Sequence, residues 1–152
     1  PVLVRPQDKP LQLPRVVDAS NKRGTFLCHD IHCSTTPARA SVGPDSSAHY
    51  VRVLGLEGEI GVVEVSADGS FYIEIDADVP VRFESLNTDK ETIRGPSSWV
   101  WVRPSERRSC VGCHEDRELA PENRVPDAIY DGMVSLPEGT RSDPVVLTEG
   151  KG

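Results

Sequence analysis

Residues 49–86 constrain this chain more than any other stretch. "HYVRVLGL" alternates apolar and polar side chains, "EIGVVEVS" follows, and then come "FYIEIDA" and "VRFESL". A period of two puts one face of a strand into a core and the other into water. Asp68-Gly69 stands between the second and third runs, and that pair between alternating segments predicts a hairpin turn. Asp78-Val79-Pro80 separates the third run from the fourth. "GTFLC" at 24–28 and "SWVWVR" at 98–103 add further strands. Thirteen prolines and twelve glycines imply many turns, and no amphipathic helical pattern precedes residue 110. The expectation is a mainly β fold, a small sandwich or partly open barrel of about six to eight short strands. An irregular C-terminal segment would surround the cysteine motif at 110–114.

With 152 residues the chain has the length of one ordinary domain, long enough to bury a core. Residues 21–137 read as that domain. Residues 1–20 read as an extended N-terminal arm, because Pro1, Pro6, Pro10 and Pro14 fall too close together for a helix. Such an arm could add to a neighbour's sheet edge. Residues 34–48 have loop composition, a short helical turn fits about 114–120, and 138–152 read as a tail. The chain opens on Pro1 rather than Met, which is read as a mature product or an excised piece. No run approaches the roughly 18 apolar residues of a membrane span. A net charge of −7 argues against nucleic acid and an anionic membrane as partners, and would suit a basic protein.

The chemistry concentrates in the four cysteines, Cys28, Cys33, Cys110 and Cys113. Cys110-Val-Gly-Cys113-His114 has the pattern of c-type haem attachment. Two thiols at this spacing reach both vinyl groups, and the adjacent histidine places a ring nitrogen on the iron. The same trio could hold zinc or another metal ion. Four cysteines also suffice for two disulfides, although a Cys110–Cys113 bridge closes too small a loop to add much stability. The second cluster is "CHDIHCS", residues 28–34. On a strand, Cys28, Asp30 and His32 share one face and His29, Ile31 and Cys33 the other. Three donors on one face suit zinc. Cys33 precedes Ser34, so this is not a second haem-attachment motif. A Cys28–Cys33 disulfide, or thiols buried as small hydrophobes, is the plain alternative.

If His114 binds iron, a sixth ligand would come from His29, His32, His49, Met133 in "YDGMVSLP" or a tyrosine such as Tyr130, or the position stays open. Met133 also reads as an apolar packing residue, and His49 as an ordinary strand-end histidine. Trp99 and Trp101, two apart, share a strand face and either wall a haem or pack the sheet. Arg103, Arg107 or Arg108 could pair with haem propionates, or form a solvated turn. A thioredoxin-type site would need a βαβ context, which is absent, and there is no glycine-rich phosphate loop.

These residues resemble one family, the middle domain of the hydrazine synthase alpha subunit and its relatives in planctomycetes and other environmental bacteria. The likeness runs through "GTFLCHDIHCS", "VEVSADGSFYIEIDADVPVRFESLNTD" and "SSWVWVRPSERRSCVGCHEDRELAPENRVPDA", roughly residues 24–128. Its most specific pieces are Asp68-Gly69-Ser70-Phe71, the Ala77-Asp78-Val79-Pro80 turn, and Glu106-Arg107-Arg108-Ser109-Cys110 leading into the motif. The resemblance implies a mostly β module carrying one c-type haem. For hydrazine synthase itself it further implies a motif histidine that binds zinc together with an upstream cysteine, here His114 and Cys28. A tyrosine four residues past the histidine would approach the iron. Glu118 stands there instead, so the chain departs from the pattern where the catalytic haem needs it.

Three readings follow. The first is a c-type cytochrome domain that transfers electrons to a redox protein partner, with one haem on Cys110, Cys113 and His114. His114, Cys28, His32 and Met133 are its candidate metal contacts. Haem attachment to this motif occurs outside the cytoplasmic membrane, so this reading implies a periplasmic or extracellular location, and the module could be a subunit of a larger assembly. The second is a structural zinc module held by Cys28, Cys110, Cys113 and His114. The third is a haem enzyme of the hydrazine-synthase type.

Overall fold

The alternating runs become strands whose apolar faces meet across a single core. The structure, a computed structural model, describes residues 17–35, 37–38, 47–113, 118 and 120–138. Along the chain they form β1 (Arg23–Cys28), β2 (Tyr50–Gly55), β3 (Gly58–Glu64), β4 (Phe71–Asp76), β5 (Arg82–Leu86), β6 (Thr92–Arg94), β7 (Arg107–Cys110), α1 (Asp127–Asp131) and β8 (Val134–Ser135). The strands make two four-stranded sheets, ordered β7-β1-β4-β8 and β3-β2-β5-β6. This is a small β sandwich, as the alternation predicts. The arm over residues 1–16, His114 with most of the 114–120 turn, and the tail beyond 138 lie outside the described residues.

Phe26, Phe71, Ile73 and Ile75 from the first sheet face Val51, Val53, Val63 and Ile93 from the second, all buried. Each such side chain contributes about 1.5–3 kcal/mol by leaving water. Phe83 of β5 joins the sheets at one end. Its ring stands edge-on to Phe26 at 5.3 Å and lies tilted 6.0 Å from Phe71.

Three expectations change. Asp68-Gly69 does not close a hairpin. β3 lies in one sheet and β4 in the other, so this turn carries the chain across the sandwich. Gly69 supplies the positive φ, +84°, that either kind of turn needs. What decides between them is burial, since Val63 and Phe71 fill the core from opposite layers. The hairpin is one turn earlier, where Leu56-Glu57 joins β2 to β3 in antiparallel register from Tyr50↔Glu64 to Gly55↔Gly58.

Residues 98–103 form no strand. Val100 and Val81 exchange a pair of 2.8 Å backbone hydrogen bonds, and the next inward residue, Val102, gives its carbonyl to the N–H of Asp78 in a turn. The alternation is real, but the hydrogen-bond partner is a corner and not a strand. Trp99 and Trp101 consequently face outward, and Arg82 stacks over the Trp99 ring at 4.5 Å. Finally, the strand through Cys28 stops there, and residues 29–35 turn.

Candidate functional site

The site grows from the pairing of β1 with β7. These strands run parallel, and the register sets Cys28 opposite Cys110. Paired residues of a parallel ladder project from the same face. The hydrogen bonding continues past the strand ends, as the N–H of His29 donates to the Cys110 carbonyl at 2.9 Å and that of Asp30 to Val111 at 3.1 Å. The turn at 29–33 then brings Cys33 against the motif, and its carbonyl accepts from the N–H of Cys113 at 3.0 Å. The two cysteine clusters, 77 residues apart between Cys33 and Cys110 in sequence, thus become one.

Gly112 makes that approach possible. A Cβ built there would overlap the Cys33 carbonyl oxygen and lie 2.8 Å from the Cys33 Cβ. Any side chain would push the motif off the turn.

Cys28, Cys110 and Cys113 open onto one cleft of about 240 Å³ between the sheets. Phe26, Ile31, Val51, Phe71, Phe83 and Val100 give it apolar walls. An apolar cleft bearing two thiols three residues apart fits an edge of a thioether-bound porphyrin.

The rest of the 28–34 cluster has a different job. Because the strand ends at Cys28, Asp30 and His32 do not extend its face. The Nδ1 of His32 lies 2.9 Å from the Asp30 carboxylate, and its Nε2 lies 3.1 Å from the Ala48 carbonyl. Both ring nitrogens of this candidate ligand are therefore engaged. Gly69 packs on the pair, with room for no Cβ. Nδ1 of His29 is buried with no hydrogen-bond partner among the described residues.

A second network ties in the segment that follows the motif. Asp68 accepts from the Ser70 hydroxyl at 2.5 Å, from the N–H groups of Ser70 and Asp127 at 2.9 Å each, and from the Arg124 guanidinium. Arg124 also donates to the His29 carbonyl at 3.0 Å. The Ser70 hydroxyl accepts from Ala128 N–H at 2.9 Å, so Asp68 and Ser70 together satisfy the first exposed donors of α1. Burial pushes the Asp68 carboxyl up. The hydrogen bonds and Arg124 outweigh it and lower the group to about 2. Arg124 and Gly112 do not stand out as site residues in the sequence, because each acts through a neighbour far along the chain, and Asp68 stands out there only as part of a turn.

Other candidates fall elsewhere. Met133 is exposed and lines a groove with Thr25, Tyr72, Glu74 and Arg107 on the outer face of the first sheet. Cys28 and Cys110 face the opposite way. His49 and Tyr130 are exposed. Arg107 lies over the Tyr72 ring on that outer face, Arg108 donates to the Trp101 carbonyl, and Arg103 takes the Glu106 carboxylate on its N–H. Among the described residues no three His, Cys, Asp or Glu side chains converge as metal ligands, and His114 lies outside them.

The model of the family described as the hydrazine synthase alpha subunit middle domain matches residues 15–115. The chain belongs to this family. The match takes in both cysteine clusters and ends at the motif, so Arg124 and α1 lie beyond it. Hydrazine synthase from Kuenenia stuttgartiensis has a similar fold, with a TM-score of 0.61 and 22% identity over 74% of this chain. The present chain spans about 20% of the length of that chain. No curated protein matches the sequence. Among the described residues no helix is long and apolar enough to cross a membrane.

Proposed function

We propose that this domain is an extracytoplasmic c-type cytochrome module carrying one haem and passing electrons to a redox protein partner. The observation that carries the reading is the common cleft. Cys110 and Cys113 both open onto an apolar wall and are followed at once by His114. The two thiols would hold the porphyrin by thioether bonds, and His114 would be the iron ligand. When bound, the group supplies a one-electron redox couple. The chain's own part would be to keep water from one edge with Phe26, Phe71 and Phe83, which would bias the potential through burial. The family is named for one subunit's middle domain, which supports a place within a larger assembly. Attachment chemistry of this kind supports a periplasmic or extracellular location.

The register of β1 and β7 also favours a second reading. Cys28 opposite Cys110 would start a zinc site that Cys113 and His114 complete, stapling the motif to β1. A hydrazine-synthase-like activity rests on the family name alone. The test is a visible spectrum of the protein from its native source, before and after dithionite, with zinc quantified on the same sample. A Soret band with a reduced α band is the expected result. A colourless protein with about one zinc per chain would overturn the cytochrome reading in favour of the staple. Carbon monoxide binding to the reduced haem would point to an open position and to enzyme chemistry.

A further inference from the structure

We propose that Cys28 and Cys110 are a redox pair that forms a disulfide in the haem-free chain. The family's motif gives Cys110 a role beside Cys113, three residues away. The fold gives it a different neighbour. Cys28 and Cys110 are register partners on adjacent parallel strands. Adjacent strands lie about 4.8 Å apart, inside the window of about 4.4–6.8 Å between Cα atoms that disulfides use. Both side chains leave the same face and line the same cleft. Cys33 packs on Gly112 and accepts the Cys113 N–H on its carbonyl, and it does not line the cleft.

The two thiols are unequally accessible, which sets the order of events. Cys28 is 2% exposed, whereas Cys110 is half-buried on β7, an edge strand of its sheet. A disulfide in solution reaches Cys110 first. The Cys110 thiolate attacks one of its sulfurs, forms a mixed disulfide and releases one thiol. The Cys28 thiolate then attacks the Cys110 sulfur and releases the second thiol. One protein disulfide forms, one external disulfide is reduced, and the two protons end on the released thiols. The pairing does not depend on the cofactor. Its consequence does rest on the cytochrome reading: while bridged to Cys28, the Cys110 sulfur is not available for a thioether bond, so haem attachment would wait on reduction of this pair.

The experiment uses the full chain, purified haem-free under reducing conditions and then exposed to oxidised glutathione. Remaining thiols are blocked with N-ethylmaleimide, and a non-reducing digest is mapped by mass spectrometry. The expected result is loss of two of the four thiols, with the Cys28 peptide linked to the Cys110 peptide. The link persists in the Cys33→Ser/Cys113→Ser double variant. In Cys28→Ser a glutathione adduct accumulates on Cys110 instead. Links joining Cys110 to Cys113 or Cys28 to Cys33, a stable adduct on Cys110 in the unsubstituted chain, or no reaction would each overturn the proposal. The unsubstituted map decides by itself if the double variant does not fold. Because no haem enters the assay, a negative result leaves the cytochrome reading standing, and a colourless native protein leaves this pairing standing.

Discussion

Replacing Asp68 by Asn keeps the shape of the side chain and removes its charge. Four contacts meet at that carboxylate: two from Ser70, one from the N–H of Asp127, and the Arg124 guanidinium. Burial opposes the charge, but these contacts lower the carboxyl from 3.8 to about 2. A group whose folded value is depressed stabilises the fold above its unfolded value and loses that contribution as pH falls through the folded one. At about 1.4 kcal/mol per pH unit, the charge contributes about 2.5 kcal/mol at neutral pH. The side chain is 16% exposed, so screening by solvent takes only a small part of this. Linkage gives a contribution near full at pH 5, about half by pH 3, and close to zero below pH 2. Urea denaturation of both proteins at pH 7, 5, 4 and 3 measures it. The expected gap is about 2 kcal/mol at pH 7, closing on acidification. A gap below about 0.5 kcal/mol at pH 7, or one that stays constant down to pH 3, would refute the assignment of the Asp68 charge as the clasp between the turn and α1.

Three further outcomes are expected. Gly112→Ala places a methyl group into the Cys33 carbonyl, and should cost about 2–4 kcal/mol by urea denaturation while Val111→Ala costs less than about 1 kcal/mol. Phe26→Ala removes the ring that meets Phe83 across the sandwich, for a loss of about 3–5 kcal/mol seen as a lowered thermal midpoint. Met133→Leu should leave the visible spectrum of the native protein unchanged, because Met133 lies on the outer face of the first sheet; a shifted Soret band would place it on the iron.

How much of this was legible in the residues depended on how far each effect reaches along the chain. Strand alternation is a local property, and Phe26, Val51, Val53, Ile73 and Ile75 all face inward as their spacing predicts. β7 was not legible, since Arg107-Arg108-Ser109-Cys110 has no apolar alternation and is a strand only because β1 offers it an edge. The two residues of β8 and the five of α1 are likewise too short to carry a period, and they are held by β4, Asp68 and Ser70. Asp68-Gly69 announced a turn correctly and a hairpin wrongly, for the same local pair serves both.

The sequence by itself determined that the chain would be mainly β and where its chemistry would gather, because periodicity and the Cys-x-x-Cys-His spacing are short-range facts. Only the tertiary structure decided which sheet each strand joined, that the 28–33 turn would close on Gly112, and that Cys28 would stand opposite Cys110. Those outcomes turn on which apolar faces can be buried together and which backbone groups find partners across 80 residues or so of chain. No local pattern encodes that competition, since it is settled by all the strands at once.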